Sequence, residues 1–140
     1  MRKLFSVMVP AAFAAAPAEA APRLLDCVAE MVCVTRVDSV CDKVDLSYAM
    51  EVPRKTGDKL ILTTAEGERF FEFRRLDDAP GVLVQAAGGA LEPGQGAGAM
   101  TVFDDLGFVL TRHSLLPLDG AGSPSSAVAI TIHGRCEARR

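Results

Sequence analysis

The chain predicts an all-β domain: a small antiparallel barrel or sandwich of about seven strands, following a cleaved N-terminal signal peptide. Three observations carry this expectation. The first 20 residues read as a leader, alternating segments recur at roughly ten-residue spacing with turn chemistry between them, and all four cysteines lie beyond the leader.

The leader comes first. Arg2 and Lys3 precede an apolar stretch from Leu4 to Ala16, and Ala18-Glu19-Ala20 supplies the small residues of an A-x-A cleavage site. The stretch is far shorter than the roughly 20 residues that span a bilayer, and it is interrupted by Pro10. Residues 1–20 are therefore expected to be removed, leaving residues 21–140 as one domain in an oxidising compartment.

The strands follow in order. Leu24, Val28, Met31 and Val32 sit at helical spacing, yet Cys27 to Val34 also reads as an opening strand, and the strand is favoured because everything downstream is strand. Val44, Leu46, Tyr48, Met50 and Val52 alternate with Asp45, Ser47, Ala49 and Glu51, the period of two that puts one face on a core. Pro53 and the run Arg54-Lys55-Thr56-Gly57-Asp58 turn the chain into Lys59–Thr64, and Glu66-Gly67 turns it again. Glu68–Arg75 places Phe71 and Phe73 on one face, and Val82–Ala86 forms a short apolar strand behind Pro80-Gly81. Ala87–Gly98, with five glycines and a proline, reads as a loop. Met100–Phe103 and Phe108–His113 flank Asp104-Asp105-Leu106-Gly107, which fits a type I turn with Gly107 at positive φ. A loop over Asp119–Ser126 leads to Ala127–His133, where Val128, Ile130 and Ile132 share a face, and Gly134-Arg135-Cys136 closes the fold.

Four cysteines allow three pairings, and sequence alone does not select one. Topology leans one way. Terminal strands of closed antiparallel folds are commonly neighbours, which brings Cys27 to Cys136 and leaves Cys33 and Cys41 to close a short loop around Asp38-Ser39. No spacing is C-x-x-C, so structural bridges are expected rather than redox catalysis.

Charge narrows the partners. The full chain has 15 basic and 18 acidic residues, and loss of Arg2, Lys3 and Glu19 leaves 13 against 17. An acidic domain without a basic stripe is not built to neutralise phosphates, so nucleic acid is not expected as a partner. No membrane anchor is expected either, since Leu25-Asp26 before Cys27 lacks the small residues a lipid-attachment site needs.

Catalytic constellations are sparse. His113 and His133 stand near the ends of predicted strands and would offer two metal ligands if those strands pair side by side. Ser114 directly follows His113, but neighbours along a strand point to opposite faces, so no nucleophile–base pair results. The pairs Asp77-Asp78 and Asp104-Asp105 occur in turns, where aspartate bonds its own backbone. Asp38, Asp42 and Asp45 lack the periodicity of a calcium loop. Gly94-Gln95-Gly96-Ala97-Gly98 precedes a strand rather than a helix, unlike a dinucleotide loop. Arg54-Lys55 and Arg74-Arg75 are small basic doublets on an acidic chain. No cofactor is expected, and no enzyme.

The leader, the early cysteine trio, the strand after Cys41, the Phe103–His113 hairpin and the ending Ile132-His133-Gly134-Arg135-Cys136-Glu137 together resemble uncharacterised small periplasmic proteins of alphaproteobacteria. That resemblance implies export and a disulfide-bonded β-domain, and implies no reaction. A second similarity is to periplasmic lysozyme inhibitors, which are also exported, small and β-rich. The expectation is thus a periplasmic, non-catalytic module that binds an unknown protein or small molecule of the envelope or supports an envelope assembly, through the Ala87–Gly98 and Asp119–Ser126 loops. The alternatives are an inhibitor of an envelope-attacking hydrolase and a small metal-dependent enzyme using His113 and His133.

Overall fold

A computed structural model of the chain describes residues 23–90, 96–117 and 125–139. The leader at 1–20 lies outside them. Eight antiparallel strands form one closed up-and-down barrel: β1 (Arg23–Thr35), β2 (Ser39–Val52), β3 (Lys59–Thr64), β4 (Arg69–Arg75), β5 (Val82–Ala90), β6 (Ala97–Phe103), β7 (Gly107–Pro117) and β8 (Ser125–Ala138). Each strand pairs with the next, and β1 closes the ring against β8. The fold is thus a barrel rather than a sandwich, and the ambiguous first segment is its β1, with Leu25, Cys27 and Ala29 buried at alternate positions.

The interior is filled with side chains, as an eight-stranded barrel is narrow enough to be. Tyr48, Met50 and Val52 of β2 meet Leu60 and Leu62 of β3, Phe71 and Phe73 of β4, Val84 and Ala86 of β5, Met100 and Val102 of β6, Phe108 and Leu110 of β7, and Val128, Ile130 and Ile132 of β8. The outer face carries Asp26, Glu30, Glu51, Arg74 and Arg135, all exposed. Apolar within and charged without is the reverse of a barrel that spans a bilayer.

Both disulfides join directly opposed residues. Cys27 of β1 faces Cys136 of β8 across a Cα separation of 3.9 Å, and their sulfurs lie in the core. Cys33 faces Cys41 within the β1–β2 hairpin at 4.0 Å, with Cys41 exposed.

Three local features differ from the sequence-based expectation. The glycine-rich stretch is not all loop: Ala87–Ala90 complete β5, and Ala97 and Gly98 open β6, while 91–95 lie outside the described residues. A Cβ on Gly88 would stand 2.6 Å from the Glu72 carbonyl, and one on Gly98 equally close to the Thr111 carbonyl. Those glycines are therefore where strands approach more closely than a side chain allows. In the β6–β7 turn, positive φ falls on Leu106 (65°) and not on Gly107. Leu106 is fixed there because its N–H donates to the Phe103 carbonyl (3.0 Å) and its own carbonyl accepts from the Cys136 N–H (2.8 Å). Its side chain also packs against the core, while the Gly107 N–H donates to Asp105 Oδ1 at 2.9 Å.

The third feature is a bulge at Glu30, where the register shifts against both β2 and β8. Opposite the bulge, Gly134 sits beneath the Phe108 ring. A Cβ there would run into the Val28 carbonyl and would stand 2.6 Å from Phe108 Cε1 and 2.9 Å from Ala29 Cα, so the barrel closes at this point only around a glycine.

Candidate interaction surface

The two ends of the barrel differ. At one end the β2–β3, β4–β5 and β6–β7 connections are tied down by hydrogen bonds. The Arg75 guanidinium donates to the Pro53 carbonyl and pairs with Asp78, each at 2.6 Å, and Arg74 donates to the Gly57 carbonyl at 3.3 Å. Gln85 Nε2 donates to the Asp77 carbonyl at 2.7 Å, and the Asp104 N–H donates to the Gly81 carbonyl at 3.2 Å. The Arg74-Arg75 doublet and both aspartate pairs are thus parts of the closed end, where they fasten turns.

At the other end the strands are unequal. β3 pairs with β2 only over Tyr48–Glu51, so from Ser47 back to Ser39 β2 runs on beside β1 without β3. β6 pairs with β7 up to Arg112, and β7 continues to Pro117 beside β8. As a result β2, β1, β8 and β7 rise past the rim as a four-stranded sheet. The face continuous with the barrel interior is mainly apolar, with the exposed Asp42 opposite Val32: Val32, Val34 and Val44 are half-buried, while Val40 is 64% and Leu46 47% exposed. Leu46 therefore departs from the buried position its alternation implies, because no β3 residue reaches it. At the hairpin tip Val37 is 87% exposed, above a cavity of about 260 Å³ lined by Val34, Arg36, Asp38, Val40 and Val128. Arg36 Nη1 donates to Ser126 Oγ at 3.3 Å and so ties this tip to the start of β8.

The floor of the opening is polar. Arg112 points inward from β7 and lays its guanidinium 5.6 Å from the centre of the Phe71 ring. Burial lowers the Arg112 pKa and raises that of Tyr48, and their mutual electrostatic interaction partly offsets each shift. Thr64 Oγ1, beside Tyr48 in the register, is buried with no hydrogen-bond partner among the described residues. Sequence reasoning passed over Arg112, although its parity with Phe108 and Leu110 marks it as inward.

The other candidate residues are dispersed. His113 faces Ala129 and His133 faces Val109 in the β7–β8 register, an offset of four residues or about 13 Å. That separation is too great for both imidazoles to hold one Zn²⁺ at about 2.0–2.1 Å. His133 instead borders a shallow outer groove of about 640 Å³ with Glu30, Asp104, Asp105 and Arg135. Asp38, Asp42 and Asp45 are exposed along the β1–β2 hairpin, and among the described residues no three His, Cys, Asp or Glu side chains are placed to hold a metal. Arg54 and Lys55 lie exposed in the β2–β3 connection. Gly94 and Gln95 of the glycine-rich stretch, and residues 119–124 of the second expected loop, lie outside the described residues. The strand ends that flank both loops, Ala90 with Ala97 and Pro117 with Ser125, stand at the same open end.

No protein-family model matches the chain, and no curated protein and no solved structure matches it.

Proposed function

We propose that this is an exported, non-catalytic binding module of the periplasm, which engages a protein or small molecule of the envelope through the open end of its barrel. The observation that carries this reading is the mainly apolar inner face of the projecting sheet, with Val40 and Leu46 exposed. An apolar surface of this kind, rimmed by charge, is the ordinary mark of an interaction site. The two disulfides fit an oxidising compartment, extracellular or periplasmic. The leader-like residues 1–20 support the export route in particular.

The test is capture from a periplasmic extract with residues 21–140 as bait, run beside Val40→Asp/Leu46→Asp. Both substituted side chains are exposed, so the fold is retained. A partner held by the parent and lost by the variant is expected. Identical captures by both would refute the open end as the working surface.

A second reading, an inhibitor of an envelope-attacking hydrolase, is favoured by the β1–β2 tip. An inhibitor inserts a stiff loop into an active site, and here the Cys33–Cys41 bridge braces a hairpin whose Val37 projects into solvent. Inhibition of a peptidoglycan hydrolase by the parent, lost in Val37→Asp, would select this reading.

A further inference from the structure

We propose that the free edge of β2 accepts an extended, basic segment of a partner protein as an added strand. This rests on the binding-module reading and names the partner's chemistry and mode of docking.

The geometry starts from the backbone. From Ser39 to Ser47, β2 has β1 on one side and, among the described residues, no strand on the other. Along that length alternate N–H and C=O groups point into the lane that β3 vacates at Thr64, a template for strand addition. The lane begins in a pocket of about 360 Å³ between the β2 edge and the β3–β4 turn, with Asp45, Ser47, Tyr48, Thr64 and Glu66 among its lining. An incoming strand therefore has a defined starting point as well as a ladder.

Charge fixes the sign of what enters. Asp45 and Glu66 line the pocket in which the lane begins, and Asp42 on the edge and Glu68 on the adjoining turn are exposed nearby, against Lys43. Among the described residues, none of these five groups makes an ion pair. Charges on a sheet edge ordinarily repel chance pairing. Here their surplus is acidic, so a basic segment is accepted and an acidic one refused. On the inner side of the same strand Val40, Val44 and Leu46, with Asp42 among them, meet alternate side chains, and Asp45 stands on the outer side, so the complementary sequence alternates basic and apolar residues.

The probe is a capped, fluorescently labelled peptide of alternating lysine and valine, titrated against the oxidised protein by anisotropy. A peptide of the same composition with a central proline keeps the charge but breaks the ladder, and a glutamate–valine peptide reverses the charge. The lysine peptide is expected to bind, the proline peptide at least about tenfold more weakly, and the glutamate peptide not at all. Asp45→Lys/Glu66→Lys, on two exposed positions, is expected to weaken the lysine peptide by about tenfold. Amide exchange of Val40–Ser47 should slow when that peptide is added. Equal binding of the proline peptide, indifference to the double reversal, or unchanged exchange at Val40–Ser47 would each overturn strand addition. A captured partner lost in Val40→Asp/Leu46→Asp but blind to Asp45→Lys/Glu66→Lys would leave the module reading standing and remove this one.

Discussion

Removing the two disulfides separately should expose very different stabilities. Cys27 and Cys136 are 109 residues apart in sequence, and Cys33 and Cys41 only 8. In the chain-entropy model the longer bridge restricts the unfolded chain by about 4.8 kcal/mol at 25 °C and the shorter by about 2.5 kcal/mol. The sites widen the gap. Cys27 is 1% and Cys136 4% exposed, so Cys27→Ala/Cys136→Ala also leaves small voids in the core, adding about 1 kcal/mol. Cys33→Ala/Cys41→Ala leaves none, because Cys41 is exposed. Equilibrium unfolding in urea should therefore place the first double variant at least about 2 kcal/mol below the second. A loss of this size rivals the whole net stability of a small domain, so the first variant should be partly unfolded at 37 °C. Equal or reversed losses would refute the reasoning, since they would mean that closure of β1 on β8 needs no covalent help.

Other substitutions probe the remaining structural claims. Gly134→Ala should lose about 3 kcal/mol, because its methyl meets the Val28 carbonyl, the Phe108 ring and Ala29 Cα, and adding Phe108→Leu should recover only a small part, since the backbone obstruction stays; a neutral Gly134→Ala in thermal unfolding would contradict the tight seam. Gly107→Ala should change stability by less than about 1 kcal/mol, since positive φ belongs to Leu106 and the new methyl meets only the adjustable Asp105 carboxylate. A larger loss would restore the glycine to the left-handed position. For Asp26, hydrogen bonds from Arg139 hold the carboxyl below its ordinary value of 3.8. A lowered folded pKa gives stability that is present above the unfolded value and lost as pH falls through the folded one. The melting temperatures of the parent and Asp26→Asn should accordingly converge below pH 3.8 and separate at neutral pH; a gap that persists in acid would count against the pairing.

Much of the barrel is legible in the chain because burial on one face imposes a period of two. Val44 to Val52 and the Phe71/Phe73 pair announce their faces directly, and Tyr48, Met50, Val52, Phe71 and Phe73 are all buried. Closure is less legible, since a barrel and a sandwich share the same alternation and differ only in whether β1 reaches β8. The bulge at Glu30 is equally silent, because one extra residue merely shifts parity between Ala29 and Val32. Ala87–Gly98 reads as a loop because glycine is weighed for its conformational freedom. Here Gly88 and Gly98 serve instead as the absence of a side chain between close strands. The open end was hidden for a related reason. Its existence depends on β3 and β6 stopping before β2 and β7 do, and no single strand carries that information.

The most direct test of the open end is amide hydrogen exchange on residues 21–140, with and without a partner captured from the periplasm. Protection should appear in Met31–Thr35, Ser39–Ser47, Arg112–Pro117 and Ser125–Ile130, the portions of β1, β2, β7 and β8 that rise past the rim. Protection confined to the fastened turns around Gly57, Pro80 and Asp104, with the projecting sheet unchanged, would contradict the account.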